Sequence, residues 1–380
     1  MNRITRVALV LCACVVSVAW GQQPVGKCSN NWTEFHRPNM VRWNPCEKVL
    51  NVHNVGSLSL KWSYTTDGSV VSSPAVSNGV VYIGSQDSNV YALNAETGAK
   101  LWSYNTAGIG VYSSPAVANG VVYVGTEDGN VYALDANTGA KLWSYPAGYA
   151  VFSSPTVADG VAYVGTAEGG RRDMFALNAS TGALLWSAPP GNVFSSPAVA
   201  NGVVYLGSAD QNVYALDAST GANLWSYGTR SYVYSSPAVA NGVVYVGSYD
   251  HNVYALNAKT GAKLWSYPTK DKFQDSSPAV ANGVMYFGTG GGNVYALDAG
   301  TGARLWRYYI GWRVEASPAV ANGVVYVGAY NDKVYALNAR TGAKLWSYRT
   351  GNQVFSSPAV ANGMVYVGSG DGKVYAFGLN

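Results

Sequence analysis

Charge and reactive side chains are scarce in this 380-residue chain, and each shortage removes a class of function. Lys and Arg together number 24 against 20 Asp and Glu, a formal net charge of +4. That excess is too small for the basic footprint of a nucleic-acid or anionic-membrane partner. Four Cys and the scattered His36, His53 and His251 do not make up a zinc ligand set. No Cys-x-x-Cys-His offers covalent haem attachment. No Gly-rich loop follows a strand and opens a helix, so the 44 Gly read as turn residues rather than as a phosphate cradle. A Ser/His/Asp triad has no anchor either, because Ser-Ser before Pro recurs in nearly every repeat and catalytic residues do not come in eightfold copies. The one apolar run, Val7 to Trp20, is shorter than the roughly 20 residues of a membrane-spanning helix.

That run follows the basic start Met1-Asn2-Arg3-Ile4-Thr5-Arg6 and reads as a signal peptide, residues 1–21, cleaved after Gly21. An alternative is a lipoprotein box at Leu11-Cys12-Ala13-Cys14, which would leave Cys14 acylated. Loss of Arg3 and Arg6 lowers the formal charge from +4 to +2. The mature chain then keeps Cys28 and Cys46, an even pair in an exported protein, for which a disulfide within an N-terminal extension (22–57) is the economical expectation. The expected location is periplasmic or secreted, and the expected state monomeric.

What the chain has in abundance is repetition. Pro74, Pro115, Pro155, Pro197, Pro237, Pro278, Pro318 and Pro358 follow one another at steps of 40–42 residues. A period of that length made of strands means propeller blades. Within one unit, Val111 to Val117, Val121 to Gly125, Asn130 to Leu134 and Ala140 to Tyr145 are Val-, Tyr- or Trp-rich and bounded by Gly, Asn or Asp. Asn119-Gly120 supplies a tight primed turn. In seven units an Ala precedes a Trp by ten residues, the small side chain leaving room for Trp102, Trp143, Trp186, Trp225, Trp265, Trp306 or Trp346. An eighth Trp of this kind, Trp62, stands before the first repeat, while the last repeat ends after its third strand, Lys373 to Phe377. The two fragments complete each other. The expected fold is an all-β, eight-bladed propeller over residues 58–380, closed by pairing of residues 58–64 with the last blade.

The run Ala-Leu-Asp-Ala-Asn-Thr-Gly-Ala-Lys-Leu-Trp at 133–143 resembles the tryptophan-docking motif of the pyrroloquinoline quinone (PQQ)-like repeat family, across about residues 59–380. Arg42-Trp43-Asn44-Pro45 and Asn54-Val55-Gly56-Ser57-Leu58 also resemble the lead-in of exported proteins with these repeats. The family includes BamB-type assembly lipoproteins and quinoprotein alcohol dehydrogenases, so the resemblance implies a fold and leaves the activity open. A dehydrogenase of this kind implies PQQ beneath a vicinal Cys-Cys disulfide, calcium held by Glu, Asn and Asp, and an Asp base. No two of the four cysteines are adjacent. A binding or scaffolding role is therefore the first expectation, and a small dehydrogenase using PQQ and calcium the alternative.

Comparison of the copies within the chain shows where function is to be sought. The first-to-second and third-to-fourth turns scarcely vary, whereas the connections on the opposite face do. Three residues before each Pro stand Val71, Tyr112, Phe152, Phe194, Tyr234, Asp275, Glu315 and Phe355, an aromatic series broken by two acids. Two residues further upstream are Ser69, Gly110, Ala150, Asn192, Tyr232, Phe273, Arg313 and Gln353. With Trp312 in the same loops, these positions are expected to line a funnel for a protein partner or small ligand. Asp275 and Glu315 are solvated polar residues at a wet channel mouth, partners of Arg313 and Lys272, or a ligand or cation site, and in a quinoprotein they would be the metal ligands or base. The recurring Asp87, Asp128, Asp210, Asp250 and Asp371 read as turn formers.

Overall fold

A computed structural model describes residues 31–36, 41–167, 174–271 and 275–380. The expected signal peptide with Cys14, and also Cys28, Arg171, Arg172, Asp173, Lys272 and Phe273, lie outside the described residues. The described chain forms eight sheets, each a four-stranded antiparallel blade whose strands run outwards from the centre in sequence order, except that the last blade takes its outer strand from residues 59–65 and one blade gains a short parallel strand at its inner edge. We number the blades from their innermost strands, which begin at Ala75, Ala116, Thr156, Ala198, Ala238, Ala279, Ala319 and Ala359. Blade 2 is representative, with strands Ala116–Ala118, Val121–Gly125, Asn130–Asp135 and Lys141–Pro146.

The innermost strand is shorter than the Val111 to Val117 that the sequence pattern predicts. Only Ala116–Ala118 pairs with its neighbour. Pro115 has no N–H to give a ladder, and the two serines before it are committed elsewhere. Ser113 Oγ accepts from the Gly125 N–H of its own blade at 2.7 Å, while the Ser114 N–H donates to Ser154 Oγ of blade 3 at 3.0 Å.

The second contact runs around the whole molecule. Ser73, Ser114, Ser154, Ser196, Ser236, Ser277 and Ser317 each donate a backbone N–H to the hydroxyl of the corresponding serine in the next blade, at 2.8–3.0 Å. Ser357 then donates to Ser73 at 2.9 Å and closes the circuit. These serines are buried, so each bond satisfies a donor whose loss would cost about 1–3 kcal/mol.

At the periphery the tryptophans dock blade on blade. Ala133 lies directly opposite Trp143, and the same Ala–Trp register recurs in the other blades. Trp102 Nε1 donates at 3.0 Å to the Ala136 carbonyl of the following blade, and Tyr82 Oη donates to the same oxygen at 3.1 Å. The indole then lies against Gly139, where an added Cβ would approach Trp102 to 2.7 Å. Gly139 has φ +74°, so two requirements of the repeat meet on one residue.

Ser59–Thr65 pairs with Lys373–Gly378 as the outer strand of blade 8, with Trp62 opposite Ala376. The chain ends therefore close the ring, as the sequence predicts, and the sheet edge between them disappears. The seam differs from the other joints in one respect. Trp346 donates to the Leu58 carbonyl at 2.9 Å in place of an Ala carbonyl, and the hydroxyl of fully buried Tyr326 has no hydrogen-bond partner among the described residues.

Before reaching that strand, the chain crosses one end of the central channel. Trp32 bridges Val76 of blade 1, and Thr33 accepts from the Val117 N–H of blade 2 at 2.7 Å. Trp43–Asn44 adds in parallel to Ala319–Ala321 of blade 7. Arg42 is 0% exposed at the centre of this plug. Its Nε donates to the Pro318 carbonyl at 2.9 Å, its guanidinium also donates to the Pro358 and Phe35 carbonyls, and it lies over the Trp32 and Phe35 rings. Burial lowers its pKa to about 9, which leaves it charged at neutral pH. No helix among the described residues is long and apolar enough to cross a membrane.

Deletion of residues 22–64 removes plug and closing strand together. The melting temperature is expected to fall by far more than about 2 °C, itself roughly 1 kcal/mol or less for a chain of this size. Trp62→Ala alone isolates the seam and should cost about 3–5 kcal/mol. Scanning calorimetry of the three proteins checks both, and a melt within about 2 °C of the intact form would remove the seam as a determinant of stability.

Candidate functional site

The plug covers the channel end that carries the invariant turns, as shown by contacts of Asn31 with Asn78, Leu50 with Asn322 and Glu47 with Gly363. The opposite mouth is the one that varies. Its lining is fixed by a device repeated along the ring, a buried Val four residues before the Pro. Val111 donates its N–H to the Ser85 carbonyl of the preceding blade at 2.9 Å and packs on Gly84, where a Cβ would meet it at 2.4 Å. With Val111 anchored, the next residue, Tyr112, stands at the mouth.

The aromatic residues predicted for this position form a continuous arc. Tyr112 meets Phe152 edge-on at 5.5 Å, Phe152 stacks on Phe194 at 5.8 Å, and Phe194 contacts Tyr234 at 4.8 Å. Tyr232 stacks on Tyr234 at 5.5 Å. Two tyrosines absent from the sequence-based set extend the arc. Tyr249 packs on Tyr234 at 5.0 Å and donates its hydroxyl to Asp275 Oδ1 at 2.9 Å. Tyr330 packs on Phe355 at 4.7 Å and donates its hydroxyl to Glu315 Oε2. A signal for both was present: after the second strand, the corresponding residues in other repeats are Gln86, Glu127, Ala167, Ala209, Gly290 and Gly370, so aromatics there depart from the pattern.

The two acids are therefore neither free in solvent nor buried without partners. Arg313 lies 3.8 Å from Glu315 and over the Tyr330 ring. The Glu315 side chain is 13% exposed. Burial, reinforced by the neighbouring Asp275 charge and opposed by Arg313, pushes its pKa up to about 7. Crowding by the funnel wall raises Asp275 as well, against the Tyr249 hydrogen bond. Asp275 as a whole residue nonetheless remains exposed to solvent, which moderates the burial of its carboxyl. Gln353 and Trp312 lie beside this sector, lining a cleft with Tyr330. The Asp of the second-to-third turn behaves as a turn former, as Asp87 shows by accepting from the Asn89 N–H at 3.0 Å and from Tyr91 Oη at 2.8 Å.

The donor set does not fit PQQ with calcium. Asp275 and Glu315 are already engaged by tyrosine hydroxyls, and among the described residues no three His, Cys, Asp or Glu side chains converge as metal ligands.

Because Glu315 binds its proton more tightly when folded, the native state holds the extra proton between the ordinary glutamate value of 4.5 and about 7. Stability from this group is complete below the lower value and is lost as pH rises through the upper one, by up to about 3 kcal/mol. Glu315→Gln is expected to flatten the decline in urea-unfolding free energy between about pH 4.5 and 7. An unchanged slope would show that the carboxyl titrates normally.

Quinone-dependent alcohol dehydrogenases match short stretches of the chain. Quinoprotein alcohol dehydrogenase PedE of Pseudomonas putida is 42% identical over 71 residues, which is 18% of this chain and 11% of that protein. The dehydrogenase subunit of the quinone alcohol dehydrogenase of Gluconobacter oxydans is 34% identical over 121 residues, 27% of this chain and 16% of that one. The chain thus spans under a fifth of the length of these relatives. Among solved structures, BamB from Moraxella catarrhalis superposes with a TM-score of 0.73 at 21% identity, covering 85% of this chain and 100% of that chain. The quinohemoprotein alcohol dehydrogenase ADHIIG from Pseudomonas putida HK5 superposes with a TM-score of 0.81 at 20% identity, covering 92% and 80%. At such identities the likeness shows the fold. Family membership rests instead on four overlapping stretches, residues 57–111, 105–193, 174–313 and 292–379, which match the PQQ-like repeat family described as Outer membrane protein assembly factor BamB, and to that family the chain belongs.

Proposed function

We propose that this protein is an exported binding or scaffolding module, monomeric, that engages a protein partner or small ligand through the open mouth of the propeller. The observation that carries the reading is the asymmetry between the two ends of the channel. One end is filled by backbone pairing and by buried Arg42. The other presents the arc from Tyr112 to Tyr249 and, beside it, Asp275, Glu315 and Tyr330. In other repeats the positions of the two acids are aromatic or Val, so the scaffold itself does not call for carboxylates there. Solvent-exposed Ile109, Tyr149, Tyr232 and Trp312 stand in the same set of loops and add apolar contact area. The description of the matching family, an outer membrane protein assembly factor, supports binding over catalysis.

The test replaces both acids by Phe. Asp275→Phe/Glu315→Phe is expected to leave the melting temperature unchanged or raised and to weaken binding of the partner recovered by affinity capture about tenfold or more, the worth of one charged contact. Asp128→Asn, which removes a carboxylate from a recurring turn, is the control and should bind normally. Titration with PQQ, with and without calcium, followed by a dye-linked alcohol oxidation assay, tests the dehydrogenase alternative, and saturable quinone binding with turnover would replace the present reading.

Export carries its own expectation. Buried Cys46 belongs to the plug, and we propose that it pairs with Cys28. Mature protein from an oxidising compartment should then show no free thiol under denaturing titration, whereas two reactive thiols would reject the pairing. Mass spectrometry showing an acylated Cys14 would replace cleavage after Gly21 by a lipid anchor.

A further inference from the structure

Beside the acid pair, between blades 7 and 8, the open face carries a cleft of about 490 Å³ lined by Trp312, Asn331, Asp332, Lys333, Arg349 and Gln353, with Tyr330 at its inner side. Its chemistry differs from that of the aromatic arc. Trp312 is 61% exposed, an indole with a large uncovered apolar surface. Around it stand side chains that end in planar polar groups. Arg349 donates to Asp332 Oδ2 at 3.0 Å, which holds a guanidinium and a carboxylate in one fixed unit. Asn331 donates to Tyr335 Oη at 2.6 Å, while its carbonyl oxygen is buried with no hydrogen-bond partner among the described residues.

A ligand for this cleft must offer an apolar face to the indole and, along its edge, groups that both donate and accept. A sugar ring has that composition: axial C–H bonds on one face and hydroxyls at the rim, each able to donate to Asp332 and accept from Arg349 or Gln353. A phosphate-bearing ligand is matched less well, because Asp332 neutralises Arg349 and repels an anion. Lys333 is then the one cationic lining residue without an ion pair among the described residues. An apolar ligand would leave the whole rim unpaired. We propose that this cleft is a saccharide site for a neutral pyranose chain. It rests on the reading of the open face as the binding face, and it lies off the channel axis, apart from Asp275.

Saturation-transfer NMR on the full mature protein, with maltotriose, cellotriose and chitotriose as neutral probes and trigalacturonate and AMP as anionic ones, tests the assignment. At least one neutral trisaccharide should show saturation transfer, and Trp312→Ala should weaken it about tenfold or more at an unchanged melting temperature, as expected for loss of an exposed side chain. Trp312→Tyr, which keeps an aromatic face, should restore most of the signal. Asp275→Phe/Glu315→Phe should retain it. The proposal is overturned if no neutral trisaccharide gives a signal, if only trigalacturonate or AMP does, or if Trp312→Ala leaves the signal intact. Loss of the sugar signal in the acid double variant but not in Trp312→Ala would overturn the cleft while supporting the funnel. Sugar binding that survives in the double variant when partner binding also survives would uphold the cleft and sink the role proposed for the acids.

Discussion

Eight hydrogen bonds between buried serines set the geometry from which everything else in this propeller follows. Each joins the backbone N–H of one blade to the hydroxyl of the next, and the last returns to the first. Each bond ties one blade to its neighbour, and a broken member strands a donor away from water. The Pro that follows each of these serines removes a competing N–H and frees the segment from the sheet. Further out, Trp and Tyr converge on one carbonyl of the neighbouring blade at every joint but the one between blades 7 and 8, where Trp346 alone reaches Leu58, so each joint is pinned near the axis and again at the rim.

With the joints fixed, the two ends of the channel have been put to different uses. The end with the invariant turns received a segment that adds backbone pairing and a guanidinium solvated by carbonyls instead of water. A buried cation without a carboxylate is costly unless its donors are met, and here two aromatic faces and the carbonyls of two Ser-Pro segments meet them. The other end holds the connections that vary between repeats, outside the anchoring Val and the turn-forming Asp. There the chain departs from its own repeat, in neighbouring blades rather than at random.

Much of this was legible in the sequence because the repeat states its rules eight times. Blade number, the Ala–Trp register and the closure through Trp62 all followed from spacing, since a strand's partner is set by turn length and by which residues must face inwards. The aromatic series and its two acids were legible for the same reason. What escaped was whatever occurs once. The plug has no second copy against which Arg42 or Trp32 stands out, and no local pattern announces that residues 31–36 touch four successive blades, at Val76, Val117, Val157 and Ser196. The role of the second Ser in each Ser-Ser-Pro was hidden because its partner lies about 40 residues away, in the next blade. Tyr249 and Tyr330 were missed because the strand-facing argument followed one column of the repeat, while the mouth is built from two. The length of the innermost strand was overestimated because Val and Tyr favour strands whether or not a ladder is available.

The seam has a consequence for identity rather than for strength. A ring of near-equal blades has no natural first member, and nothing in the serine circuit distinguishes blade 6 from blade 2. Tyr326, with its idle hydroxyl, and Leu58, standing in for an alanine carbonyl, break that equivalence at one joint, and the plug fastens Arg42 to the two blades on either side of it. The molecule thereby acquires an origin, like the twelve on a clock face. Asp275 and Glu315 then occupy fixed hours relative to it, so a partner that touches both the lead-in segment and the open mouth can meet the ring in only one rotational setting.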